Sequence, residues 1–153
     1  PYPARWRALV GVGRLFRPLL PASLARTLSL GAGRTASPPT AALARRVLLL
    51  GGCAQQVLNP GIDAAARVVF ARLGMRLDHL PGVDCCGALH YHLGDEPTAL
   101  RIARANLDAW WPAIEAGAEA VMATASGCGL QLRAYAEILA GDPAYADKAR
   151  RMV

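Results

Sequence analysis

Three short apolar runs in this chain each lead into cysteine, and no cysteine lies anywhere else. Arg46-Val-Leu-Leu-Leu-Gly-Gly52 precedes Cys53, Met75-Arg-Leu-Asp-His-Leu80 precedes Cys85-Cys86-Gly87, and Ala120-Val-Met-Ala-Thr124 precedes Cys128. If the runs are parallel strands, all four thiols occupy loops at the carboxyl edge of one sheet. Open α/β sheets place their ligands at that edge. The pattern points to a metal or iron–sulfur site built from Cys53, Cys85, Cys86 and Cys128.

The spacing between the thiols supports strand loops as their carriers. Residues 54–84 separate Cys53 from Cys85, and residues 87–127 separate Cys86 from Cys128. Zinc fingers bring their ligands in close pairs within small loops, and ferredoxins use a tight Cys-x2-Cys-x2-Cys run; neither spacing occurs here. Each gap is long enough to hold a crossover helix. Glycines 51, 52, 87, 127 and 129 flank the thiols, allowing tight turns and close approach of backbone amides. Helices after Cys53 and Cys128 would aim positive N-termini at an anionic cluster.

From Arg45 onward strand and helix signals alternate. Strands are expected at 46–50, 75–80 and 119–124, and helices at 60–73, 95–116, 130–140 and 143–152. Gly74 closes the first helix, Asp95-Glu96-Pro97 opens the second, and Pro112 is expected to kink its last turn. Leu100, Ile102, Ala103, Leu107, Trp110 and Trp111 form its apolar stripe. The expected class is α/β: a small parallel sheet with flanking helices and right-handed crossovers. Three strands leave exposed edges, which proteins pair or cover.

Ahead of this unit lies a segment of different character. Residues 1–62 hold eight Arg and no Asp or Glu, whereas residues 63–153 hold nine Lys and Arg against eleven acids. The overall charge of +6 thus belongs to the first third of the chain. Residues 4–17 read as a basic helix with Trp6, Leu9, Val10 and Phe16 as apolar positions; a second short helix is expected across 22–30, and residues 31–42 read as a linker. The division expected is a basic helical arm and linker at 1–43 and a cysteine-rich domain at 44–153. The arm is read as packing on a neighbouring domain, with an anionic membrane surface as the alternative. No nucleic-acid-binding motif accompanies the charge.

Composition narrows the class further. Apolar residues make up 54% of the 153 and charged ones 18%, which excludes bulk disorder. No apolar run approaches the roughly 20 residues of a membrane-spanning helix. The opening Pro-Tyr-Pro-Ala-Arg-Trp-Arg lacks the pattern of a signal peptide, and adjacent Cys85 and Cys86 cannot pair with each other without strain. A reducing cytoplasm is therefore the expected location. The missing initiator Met and the ending Arg-Met-Val153 suggest a piece of a longer protein.

The residues around the thiols resemble the cysteine-rich CCG domain family. Cys53, then Cys85-Cys86-Gly87, then a distal cysteine is its pattern. That domain is found in heterodisulfide reductase B-type, glycerol-3-phosphate dehydrogenase C-type and glycolate oxidase iron–sulfur subunits. Gly52-Cys-Ala-Gln-Gln56, Cys85-Cys-Gly-Ala-Leu-His-Tyr-His-Leu-Gly94, Asn106–Gly117, Thr124-Ala-Ser-Gly-Cys-Gly129 and Asp142–Arg150 are similar to the glycolate oxidase type. The resemblance covers residues 44–153. It implies an electron-transfer subunit with an N-terminal ferredoxin-like part carrying two [4Fe-4S] clusters, followed by two CCG repeats, of which this is the first. It further implies flavin-containing partner subunits that oxidise glycolate, and relay of electrons towards quinone at the inner face of the membrane. In one respect the chain departs from the family: Ala125 stands where a terminal Cys-x-x-Cys would have its first cysteine. A five-cysteine noncubane site therefore cannot form from this repeat alone.

Three readings of the thiols stand beside one another: an iron–sulfur cluster of [4Fe-4S] type, a structural zinc site in a docking module for the flavin subunits, and metal-free thiols. His90 and His92, on an extended stretch, would share one face and serve as second-layer partners or ligands. Ser126 and Thr124 would donate hydrogen bonds to sulfur, or serve only their turns. His79 is assigned to the core or edge of its strand, and Trp110 and Trp111 to helix packing. No Ser/His/Asp arrangement or paired carboxylate suggests a catalytic residue, and Gly11-Val-Gly13 is too short for a dinucleotide fingerprint. Flavin and NAD are thus not expected on this chain.

Overall fold

In the computed structural model, which describes residues 2–27 and 45–152, helices α1 (Tyr2–Leu15) and α2 (Ala22–Thr27) precede the first strand. A 3-10 turn at Arg17–Leu19 accommodates Pro18 between them. The linker expected at 31–42 and the end of the second short helix, 28–30, lie outside the described residues. Val10 is buried and α1 packs against α3 (Gln55–Leu58), whereas Leu9, Val12, Leu15, Phe16 and Leu19 are exposed. Of the four apolar positions expected on this helix, Val10 alone is buried among those described; the side chain of Trp6 is not among them.

Each apolar run forms a strand: β1 (Arg45–Leu50), β2 (Met75–His79) and β3 (Ala120–Ala123). They make one parallel sheet in the order β2-β1-β3, with Val47 opposite Leu77 on one side and Ala120 on the other. β1 is central, and four successive residues of it are buried because the sheet is covered on both faces. Their alternation divides the core. Leu48 and Leu50 point into a layer with Ala103, Leu107, Trp110, Leu132, Tyr135, Leu139 and Ala149. Val47 and Leu49 point the other way, onto Leu77, Ala66 and Phe70.

The helices on the two faces follow from that split. α4 (Gly61–Arg72) covers one face; α6 (Glu96–Glu115), α7 (Ser126–Ile138) and α8 (Ala146–Met152) cover the other. Asp95 caps α6 by accepting a hydrogen bond from the Thr98 amide at 3.3 Å, and Gly117 follows its end with φ +93°. Trp110 is fully buried in the core of this face. Trp111 is not: its indole donates to Glu115 at 2.8 Å, and Lys148 and Arg151 lie over its ring. Fully burying a side chain such as Leu48 or Leu107 contributes roughly 1.5–3 kcal/mol, so this layer carries much of the stability.

Two short helices differ from the expected pattern. Besides α3, α5 (Ala88–His92) forms directly after Gly87, where an extended stretch was expected. The last long helix begins at Ser126 rather than 130, which brings Cys128 onto its first turn. Ser-Gly-Cys-Gly has poor helix propensity, but Leu132, Tyr135 and Leu139 at helical spacing are buried in the core. Packing of that face outweighs the local cost of glycine.

Candidate metal centre

The strand order decides where the thiols meet. From β1 the chain crosses to β2 on one side, then returns past β1 to β3 on the other. The loops at the carboxyl ends therefore diverge around β1, the topological switch point at which such sheets hold ligands. Cys53 lies in the turn after β1, Cys85 and Cys86 in the loop after β2, and Cys128 on the first turn of α7 after β3. The amide of Gly51 donates to the Val83 carbonyl at 3.3 Å and so ties the first two loops together.

Glycine is required at one of these turns and fills a tight place at another. A Cβ on Gly51 would stand 2.8 Å from His79 Nε2 and closer still to the Gln56 amide. At Gly87 the backbone has φ +84°, and a Cβ would lie 3.3 Å from the Ala99 carbonyl of α6. An L-residue is strained there whatever its size.

All four cysteines are free thiols, and they associate in two pairs drawn from different loops. The Cys85 thiol hydrogen-bonds the sulfur of Cys53, and this lowers the Cys53 pKa to about 6 despite partial burial. The same bond, with burial, pushes Cys85 strongly up. Cys86 is held up in the same way by its bond to Cys128 and by burial, while Cys128 is lowered by accepting from Cys86. In each pair one sulfur is shifted towards the thiolate and the other towards the thiol, and the charge of Cys53 raises both members of the second pair. Backbone amides add to this: Gly87 N–H points at Cys85 Sγ at 3.4 Å, Ala88 at Cys86, and Ala54 at Cys53. Among the described residues, no three His, Cys, Asp or Glu side chains surround a single point as a ready-made ion site.

A set of buried polar groups holds the Cys85-Cys86 backbone. Asn106 Nδ2 donates to the Cys85 carbonyl at 2.7 Å and to the Tyr135 hydroxyl at 2.9 Å. That hydroxyl donates to the Cys86 carbonyl at 2.8 Å. Burial pushes the Tyr135 phenol well above its ordinary range, so it stays protonated. Neither role follows from the sequence reading. One signal was available: Asn106 is a polar residue on the buried stripe between Ala103, Leu107 and Trp110.

The remaining candidates separate. His90 and His92 do not share a face, because residues two apart on a helix point about 200° apart. His90 turns inward, with its Nδ1 2.9 Å from Asp95 Oδ2, and its positive form favours the Cys53 thiolate. His92 is exposed, as is Ser126 at the start of α7. The single hydroxyl hydrogen of Thr124 goes to Asp63 Oδ1 at 2.6 Å, so it does not reach sulfur. Gln55 donates to both Asp63 and Thr124, joining the loops after β1 and β3 beneath the cysteines. His79 lies on the edge strand β2, with its Nε2 between Asp84 Oδ1 at 3.0 Å and the Val83 carbonyl at 3.2 Å.

A parallel sheet that delivers four paired thiols to its carboxyl edge defines a cysteine-rich α/β domain. The chain belongs to the family described as the cysteine-rich domain, CCG, whose profile matches residues 47–133. It is 46% identical over 152 residues to the protein named glycolate oxidase iron-sulfur subunit of Escherichia coli (strain K12), covering 99% of this chain and 37% of that one. To the probable glycolate oxidase iron-sulfur subunit of Bacillus subtilis (strain 168) it is 29% identical over 116 residues, 76% of this chain and 26% of that one. The chain thus spans about a third of the length of these relatives or less. No solved structure matches significantly. No described helix is long and apolar enough to cross a membrane.

Proposed function

We propose that this chain is the first cysteine-rich repeat of an electron-transfer subunit in a glycolate (2-hydroxy acid) dehydrogenase complex, with Cys53, Cys85, Cys86 and Cys128 holding a [4Fe-4S] cluster. The observation that carries this reading is the association of four thiols from three strand loops in two hydrogen-bonded pairs. Such a cluster, when bound, accepts and passes on single electrons. The residues around the sulfurs favour negative charge there. Amides of Ala54, Gly87 and Ala88 donate to them, the N-terminus of α7 lies at Cys128, and His90 stands braced by Asp95 near Cys53. Cys53 and Cys128 are shifted towards the thiolate, and the protons on Cys85 and Cys86 leave as ligand bonds form.

The setting proposed for it is that of a glycolate oxidase complex. Electrons arrive from flavin-containing subunits and leave towards quinone at the inner face of the membrane, so the complex is cytoplasmic. A ferredoxin-like part and a second cysteine-rich domain of the parent chain flank residues 44–153; α1 of the basic arm packs against α3, which leaves its exposed apolar side chains for a neighbouring domain. The sheet edges favour further structure beside β3. β2 carries Arg76 and Asp78, whereas β3 has no charged residue and borders an apolar hollow of about 490 Å³.

Anaerobic purification of the full-length subunit, with iron, sulfide and visible absorption measured, tests the proposal. Iron with a broad charge-transfer band is expected, and each Cys→Ser variant should lose iron and stop electron transfer in the assembled complex. Zinc in place of iron, with variants that weaken assembly yet leave transfer to quinone intact, would make the chain a zinc-stapled docking module instead.

A further inference from the structure

Asn106 on α6 and Tyr135 on α7 are 2% and 0% exposed, and their side chains converge on two consecutive carbonyls, those of Cys85 and Cys86. A trans peptide directs its C=O and N–H in opposite senses. Gripping the Cys86 carbonyl from the core therefore aims the N–H of the same peptide, that of Gly87, outward at Cys85 Sγ, where it lies at 3.4 Å. Holding the Cys85 carbonyl fixes the preceding peptide plane as well. The phenol is itself held, since its oxygen accepts from Asn106 while its hydrogen goes to Cys86. The αL turn at Gly87, backed by Ala99, completes the constraint.

We propose that Asn106 and Tyr135 are positioning residues that set the Gly87 N–H···S bond to Cys85 and, through it, the reduction potential of the centre those sulfurs hold. The proposal rests on the cluster reading above. An N–H dipole at a ligand sulfur stabilises the more negatively charged, reduced state and so raises the potential. Releasing the peptide weakens that dipole and lowers the potential. Simple packing by the same two residues would affect stability but not this quantity.

The test is Tyr135→Phe in the full-length subunit assembled with its partners, prepared anaerobically. Iron content is measured beside the midpoint potential from a spectroscopically monitored redox titration. The expected result is retained iron with a midpoint more negative than wild type and an altered electron paramagnetic resonance signal. Retained iron with an unchanged or more positive midpoint overturns the proposal while leaving the cluster reading intact. A wild-type subunit without iron overturns that reading, and this proposal with it. Should Tyr135→Phe fail to fold, Asn106→Ser is judged by the same midpoint criterion, since it releases the Cys85 carbonyl and the phenol together.

Discussion

Cys85 gives its thiol hydrogen bond to the sulfur of Cys53, although the two residues end different strands. One sulfur of the pair is thereby a ready nucleophile and the other an inert thiol. The pairing is a direct result of β1 and β2 lying side by side, since their loops leave the sheet together.

In the metal-free protein, Cys53 should be alkylated fastest of this pair. Its pKa of about 6 means that the thiolate is lost as pH falls. The rate should therefore level off above about pH 7 and fall about tenfold per unit well below 6. Iodoacetamide labelling read by mass spectrometry checks this. Cys85→Ala removes the donor, so the midpoint of the Cys53 rate profile should move up towards the ordinary thiol range of about 8.5. A profile that stays at 6 in the variant would count against the pairing.

Gly87→Ala should destabilise more than Gly74→Ala. Both have positive φ, +84° and +76°, so each substitution incurs roughly 1–2 kcal/mol of left-handed strain. A Cβ at Gly74 meets nothing within 4 Å, whereas at Gly87 it presses on the Ala99 carbonyl at 3.3 Å. Urea midpoints of the two variants measure the difference, and equal losses would rule out the contact.

Leu48→Ala should cost about 2–5 kcal/mol, because Leu48 is fully buried in the layer between β1 and α6–α7. Val69→Ala, on the exposed side of α4, should stay within about 0.5 kcal/mol of wild type. Thermal or urea unfolding of both variants distinguishes a packed layer from a loose one.

Arg104 on α6 donates to Asp142 at 2.7 Å, and this bond chiefly holds the Asp142 carboxyl below the usual carboxylate range. A depressed folded-state pKa contributes stability that is present above the unfolded value of about 3.9 and lost as pH falls through the folded one. Arg104→Gln should therefore lower the urea midpoint at neutral pH, and the gap to wild type should close as pH drops below about 4. A gap that persists in acid would show that packing of Arg104, not its charge, stabilises this contact.

Much of the framework was readable because it depends on nearest neighbours along the chain. The short apolar runs, Gly74, Asp95 and Gly117 mark strand and helix limits through local preferences, and each limit lies within a few residues of its expected place. His90 and His92 were misplaced because α5 is five residues long, too short to form without its neighbours. Cys128 was set before its helix for a related reason: glycine suggests a loop until Tyr135 and Leu139 are buried.

Chain order alone placed four thiols at the ends of three strands, since a parallel sheet puts every such end on the same edge. It could not say which sulfur would face which. That followed from β1 lying between β2 and β3, and from Asn106 and Tyr135 reaching across the core to the Cys85-Cys86 backbone. Local patterns act over a few residues, but hydrogen bonds between groups that far apart in sequence exist only once α6 and α7 have packed together on their face of the sheet.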